Sequence, residues 1–407
     1  MSGRVIVVGS VNIDLVARVP HLPHPGETVT GGSYDRHHGG KGGNQAVAAA
    51  RLRRPTLFIG ALGDDTFEVE ARRALASERV DVSMVASLPG QPTGVALILV
   101  DSTGENEIAV VPGANGAIEK GYVSECLARL GRLTGDVVLV CNEVPLHVVR
   151  EALVCAHASG GTTILNPAPA LGLDRSVLAL ADIITPNRNE LATLLHTEAR
   201  RTGRRTDAGL EVAGRARQLL EVGPDGPGVR KAVIVTLGAA GVIVIERVGS
   251  GLDGSAAGTA MSAGSVGAPR PVVAAVPGVP AGTGAAGAEP CSDEGSGLRL
   301  ETEAAAVGAE PVKLEAADSE TVATMPKPEL DGDLRIWDLP GERVATVDST
   351  GAGDAFVGAL AAAIAEGRSL AEAVRRAVAA GALATTHNGA REGMPTALEL
   401  EEFLATR

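Results

Sequence analysis

The residues best placed to do chemistry lie in the string DSTGAGDAF, residues 348 to 356. Gly351 and Gly353 carry no side chain, so successive backbone N–H groups can converge on an anion, and the Ala-rich run from Ala355 to Ala365 reads as the helix behind them. That pattern predicts an anion cradle at a helix N-terminus, made of Gly351, Ala352 and Gly353. Asp354 falls in the first turn, where the positive end of the helix dipole favours an ionised carboxylate that is free to accept a proton. A base beside an anion cradle suits phosphoryl transfer to a hydroxyl. The same letters also spell an ordinary turn with an N-cap aspartate, so the reading needs a second motif.

A second motif stands near the N-terminus, in GGKGGNQAVAAARL, residues 39 to 52. Four glycines enclose a single cation, Lys41, and lead into a helix expected to begin near Asn44. Backbone of this kind can approach a small polar ligand closely. It is not a Walker-type loop, because the G-x-x-x-x-G-K-[ST] spacing is absent and no hydroxyl follows the lysine to hold magnesium.

The elements that must position these motifs alternate. β-Branched runs at 5–8, 57–60, 137–141, 163–166, 183–185, 233–237 and 242–245 read as strands. Ala/Leu/Arg segments at 44–52, 67–78, 146–159, 176–179 and 189–195 read as helices. This predicts an α/β fold with a mainly parallel central sheet flanked by helices, which binds ligands beyond the carboxyl ends of its strands. Residues 15–36 and 93–111 break the alternation and predict a small separate β-sheet lid over the site, able to exclude water from a transferring phosphoryl group.

Composition narrows the classes. The chain has 407 residues, 45% of them hydrophobic and only 2% aromatic, with a net charge of −13. It can bury a full core, has no aromatic platform for single-stranded nucleic acid, and its charge disfavours a polyanion partner. No export signal and no run of membrane-spanning length is expected, which predicts a cytoplasmic protein. The four cysteines lack zinc-site spacing, and no metal site made of side chains alone is expected.

The stretch 249–333 is rich in Gly, Ala, Ser, Pro and Glu and reads as a disordered acidic insertion between the strand at 242–245 and one expected at 344–347. Nine of the chain's net negative charges fall within it. The acidity therefore says little about the active site. The whole chain, 1–407, is otherwise read as one catalytic domain.

Taken in order, the two glycine strings with GSVNID (9–14), PGETV (25–29), NPAPA (166–170), TPNRNE (185–190) and TLGAAG (236–241) resemble the ribokinases of the PfkB-type carbohydrate kinase family. The resemblance covers nearly the whole chain outside the insertion. It implies a ribokinase-like fold and ATP-dependent phosphorylation of ribose at O5, with Asp354 as general base. It further implies that Asn12, Asp14, Gly40, Lys41, Asn44 and Glu143 hold the sugar under lid residues Ala96 and Ile108. Asn187, Glu190, Thr236, Gly238 and Gly353 would serve ATP and magnesium. Asp348, Thr350, Ala384, Gly389 and Gly393 would form a monovalent-cation site, usually for potassium, although Gly393 lacks the family's serine hydroxyl. A homodimer is implied as well. The alternatives are a related kinase acting on fructose, a nucleoside or a keto-deoxy sugar acid, and a catalytically silent sugar or nucleotide sensor.

Overall fold

The computed structural model describes residues 3–202, 212–223, 226–252 and 328–407, without the side chains of 196–202. These residues belong to one compact unit, and the expected insertion lies largely outside them.

The strands are β1 (Val5–Val8), β2 (Asn12–Arg18), β3 (Tyr34–Gly39), β4 (Thr56–Leu62), β5 (Val80–Ser87), β6 (Gly94–Val100), β7 (Asn106–Val111), β8 (Val137–Cys141), β9 (Thr162–Asn166), β10 (Ile183–Ile184), β11 (Ala232–Thr236), β12 (Val242–Arg247), β13 (Glu329–Asp331) and β14 (Leu334–Leu339). The helices are α1 (Lys41–Arg51), α2 (Thr66–Ser77), α3 (Tyr122–Leu130), α4 (Leu146–Ala158), α5 (Arg175–Leu178), α6 (Arg188–Thr202), α7 (Val212–Leu220), α8 (Ala352–Ala365), α9 (Leu370–Ala384) and α10 (Ala397–Ala405).

Ten strands form the main sheet in the order β13-β14-β12-β11-β10-β9-β8-β1-β4-β5. Pairing is parallel from β11 to β5 and antiparallel at the β12-β14-β13 end. Strand β1, V-I-V-V, is apolar at every position because both faces of a parallel sheet are covered. Val5 and Val7 join a core shared with α1, α8 and α9, while Ile6 and Val8 join the core on the opposite face with α3, α4 and α7. With few aromatic side chains, packing relies on close approach of small ones. At Gly358, an added Cβ would lie 2.6 Å from the Ala48 Cβ, which sets how tightly α8 seats on α1.

The strand order reverses around β1 and β8, the kind of switch point beyond which α/β sheets bind ligands. The chain leaving β1 enters the second sheet, ordered β3-β2-β6-β7. Its first strand opens at Asn12, three residues earlier than the sequence suggests, so Asn12 and Asp14 stand on this small sheet.

Three expectations are corrected. Residues 344–347 form no strand; Val347 instead donates its N–H to the Thr385 carbonyl. β12 pairs with β14, whose alternation sends Leu334 and Ile336 to one core and Trp337 and Leu339 to the other. Pro340, which has no N–H to donate, follows at once. Both margins of the insertion are also structured: Leu252 is buried and its carbonyl accepts from Leu370 N, and residues 329–331 form β13. Helix α1 starts at Lys41 rather than Asn44. Gly40 before it holds φ 83°, and a Cβ there would lie 2.7 Å from Asn12 N, so glycine permits both the turn and the close approach.

Candidate active site

Asp354 lies in the first turn of α8 and is 8% exposed. Its Oδ2 accepts from Asn44 Nδ2 and its Oδ1 from Gln45 Nε2, both at 3.0 Å. Gln45 Nε2 also donates to Asn166 Oδ1 at 3.1 Å, which ties the α1 start to the end of β9. Sequence reasoning missed Gln45, although it adjoins Asn44 in the same string.

The helix before Asp354 has the expected form, with one difference. Gly351 is the N-cap residue at φ 77°, where a Cβ would meet the Ala390 carbonyl oxygen at 2.8 Å. The Gly353 N–H has no partner among the described residues, and its α-carbon faces open space. The Ala352 N–H bonds the Ser349 carbonyl at 3.3 Å, so of the three expected cradle groups it is the one already engaged.

Electrostatics also differ from the local reading. Burial pushes the Asp354 carboxyl above its ordinary range, against the pull of Lys41 and the hydrogen bonds from Asn44 and Gln45. The helix dipole does not dominate, because the carboxyl is almost wholly removed from water. Burial works to lower the Lys41 ammonium, but Asp354, Glu143 and Glu190 outweigh it and leave it above its usual value. Lys41 Nζ makes no hydrogen bond or ion pair with the described residues. One cation thus faces three carboxylates, an imbalance that a bound cation would offset. No cluster of His, Cys, Asp or Glu among the described residues forms a metal site unaided.

On the small-sheet side, Asn12 Oδ1 accepts from Asn115 Nδ2 at 2.9 Å, which turns the Asn12 NH2 group away from Asn115. Asp14 pairs across the strands with His37 and Ala96, and burial raises its carboxyl to about 6, against the attraction of Arg391. Ala96 shares that sheet face with Ile108, two register steps along; Ala96 is buried and Ile108 exposed. Glu143, after β8, accepts from Ser10 Oγ and from the Lys41 N–H at 3.0 Å. Asn12, Asp14, Gly40, Lys41, Asn44 and Glu143 therefore come together around the face of Asp354, with Ile108 at the outer edge.

Asn187 and Glu190 are reciprocal caps of α6: Asn187 N donates to Glu190 Oε2 at 2.8 Å, and Glu190 N to Asn187 Oδ1 at 2.9 Å. Burial raises the Glu190 carboxyl, and both Lys41 and Asp354 act on it. Asn187 bridges to Thr236 at the end of β11, and Gly238 follows at φ 63°. The nucleotide-side candidates thus adjoin one another.

At the C-terminal loops, Asp348 Oδ1 accepts from the N–H and Oγ1 of Thr350, and Oδ2 accepts from Gly389 N at 2.9 Å. A Cβ on Gly393 would stand 2.5 Å from the Ala384 carbonyl oxygen and 3.1 Å from that of Gly389. Two carbonyls therefore lie against Gly393, whose N–H donates to that of Gly389 at 3.3 Å, and oxygen ligands of this kind suit a hard cation. Cys126 and Cys141 are buried and Cys155 is half-buried, all as free thiols, while Cys291 lies outside the described residues.

A doubly covered parallel sheet with a buried carboxylate, an open N–H group and a lysine at its switch point is an arrangement suited to phosphoryl transfer to an alcohol group. The model of the pfkB family carbohydrate kinases matches residues 2–257 and 337–397. The chain belongs to that family and is a carbohydrate kinase. It is 38% identical over 245 residues to a ribokinase of Schizosaccharomyces pombe, covering 58% of this chain and 73% of the relative. To a ribokinase of Haemophilus influenzae it is 29% identical over 404 residues, covering 99% of each. An Arabidopsis thaliana ribokinase solved with ribose and ATP has the same fold, with a TM-score of 0.67 at 24% identity over 99% of each chain.

Proposed function

We propose that this chain transfers the γ-phosphoryl group of ATP to O5 of D-ribose, giving ribose 5-phosphate and ADP. The carrying observation is Asp354, a buried carboxylate held on both oxygens by amide donors between a cluster of polar side chains and an open helix N-terminus. Asp354 would accept the hydroxyl proton as O5 attacks the γ-phosphorus in line, with the Gly353 N–H and Lys41 meeting charge on the phosphoryl oxygens. Asn12, Asp14, Lys41, Asn44 and Glu143 would bind and orient the sugar, since carboxylates accept from adjacent hydroxyls and an amide can both accept and donate. The small sheet, with Ala96 and Ile108, would cover the sugar and exclude water. The ribokinase names of the relatives support ribose over fructose or a nucleoside.

Thr236, Gly238, Asn187 and Glu190 would serve the nucleotide, the last two through the water shell of the magnesium that accompanies ATP; that ion neutralises phosphate charge. The test is a coupled ADP assay with ribose, 2-deoxyribose, fructose and adenosine. Ribose is expected to give the highest kcat/KM; a tenfold preference for another acceptor would overturn the substrate assignment.

A pH dependence arises from Asp14. Its carboxyl titrates near 6, so it is an acceptor above that pH and gains a proton below it. The ribose KM should therefore rise as pH falls through about 6 and level off above about 7. A KM that is flat from pH 5 to 8 would remove Asp14 from the sugar site.

We also assign potassium to the carbonyls of Ala384 and Gly389 beside Gly393, with Asp348 and Thr350 shaping the loop. Potassium there would stabilise the loop next to the α8 N-terminus. Activity in potassium is expected to exceed that in a tetraalkylammonium buffer several-fold, and equal rates would sink the assignment. No helix among the described residues is long and apolar enough to cross a membrane. Free thiols support a cytoplasmic protein, and exposed Leu97, Ile108, Val110 and Val111 on the small sheet support a homodimer, which sedimentation would test.

A further inference from the structure

Arg391 belongs to neither motif, yet it is a buried cation beside the proposed sugar site, only 5% exposed. Its Nε donates to Asn44 Oδ1 and its Nη2 to the Gly39 carbonyl, each at 2.9 Å. Nη1 is buried without a partner among the described residues. The side chain fits because residue 43 is glycine: a Cβ there would lie 2.3 Å from Nη2. The loop that carries it is clamped by Arg51, whose Nη1 donates to the carbonyls of Arg391 and Met394 while its other nitrogens pair with Glu78.

A buried charge is costly without compensation, and no carboxylate forms a close ion pair with Arg391 among the described residues. Instead it faces Asp14, Glu392, Glu78 and Asp354, with Asp14 the strongest of the four; the two side chains meet at Gly39, whose carbonyl accepts from Arg391 Nη2 and where a Cβ would lie 2.2 Å from either Asp14 carboxylate oxygen. A guanidinium can only donate. Asn44 must therefore turn its carbonyl toward Arg391, which leaves its NH2 for Asp354. A partner able to accept would let that amide reverse and set an oxygen against the carboxylate.

We propose that Arg391 is a positioning residue of this kinase: through Asn44 it orients the donor that holds Asp354, and it sets a fixed positive charge behind Asp14. The first half rests on the proposed phosphotransfer reading; the second concerns the ligand-free protein. Asp14 is faced by Arg391 from the C-terminal loop, His37 from β3, Glu143 after β8 and Asp354 from α8, so Arg391 is one of two cationic or protonatable groups set against two carboxylates. Burial lowers the guanidinium to about 10, which leaves it charged at neutral pH.

The test compares the full-length native chain with R391Q and R391K, each checked for melting temperature. In the ligand-free proteins, the carboxyl 13C resonance of Asp14 is followed with pH. Its midpoint should move to higher pH in R391Q and stay near the native value in R391K, which keeps the charge. In steady-state assays, R391Q should lower kcat at least tenfold with the nucleotide KM unchanged. R391K, which lacks the planar fork, should restore the pH dependence of the ribose KM but only part of kcat. An unmoved Asp14 midpoint together with native kcat in folded R391Q would overturn the inference. If the midpoint moves but the native chain phosphorylates no sugar, the phosphotransfer reading fails and the electrostatic role of Arg391 stands. If R391Q does not fold, an Asp14 midpoint in R391K that departs as far as in a protein without the charge, as in R391M, overturns it.

Discussion

Asp354→Asn is expected to lower kcat about 10³-fold, in the middle of the range for loss of a general base, while ribose binding stays near normal. The substitution keeps the shape of the side chain and removes its proton acceptor. It also sets an NH2 group against one of two amide donors, Asn44 Nδ2 or Gln45 Nε2, at a local cost of about 1 kcal/mol. Melting temperature should thus fall slightly, which separates the chemical loss from unfolding. Because burial raises the Asp354 carboxyl, the native enzyme should lose kcat on acidification at a pH above the ordinary carboxylate range of about 4. The sign is fixed by the role: a base works only when deprotonated, and a raised pKa brings protonation to higher pH. That acid limb should vanish in the asparagine variant. Native turnover in Asp354→Asn would eliminate the base assignment.

Lys41→Met is expected to lower kcat about 10²-fold, comparable to the loss of one preorganised donor at a developing charge. Lys41 is the strongest attraction acting on the ionised Asp354 and faces Glu143 and Glu190 as well. Removing it leaves three carboxylates without their shared cation, so the acid limb of kcat should move to higher pH in the variant. A merely structural lysine would alter stability and leave that limb where it was. The decisive measurement is kcat against pH for native and variant enzyme; coincident limbs would end the proposal that Lys41 acts on the reacting groups.

The legible parts of this molecule were those whose cause is local. Strand β8 is readable to the residue and β1 likewise, because an unbroken apolar run rich in β-branched residues needs only neighbouring residues to declare itself. The glycine strings declared the turns before α1 and α8 for the same reason. Val344–Val347 misled because its composition suits a strand while pairing is a property of the partner: β12 already has β14 on that side. Glu190 showed its cap with Asn187 in the spacing of TPNRNE, but its closeness to Lys41 and Asp354 did not lie in any local pattern.

By itself, the sequence determined the chemical inventory: a carboxylate in a first turn, glycines where backbone must approach a ligand, one lysine between them, and an alternating α/β chain to carry them. Only the tertiary structure decided how those groups behave. Asp354 meets Asn44 and Gln45 across more than 300 residues, and Arg391 reaches Asn44 across 347. Desolvation of Asp14 and Asp354, and the direction in which each amide donates, depend on neighbours brought from distant parts of the chain. Dipole and spacing arguments see one helix; burial and hydrogen-bond direction are set by everything packed against it.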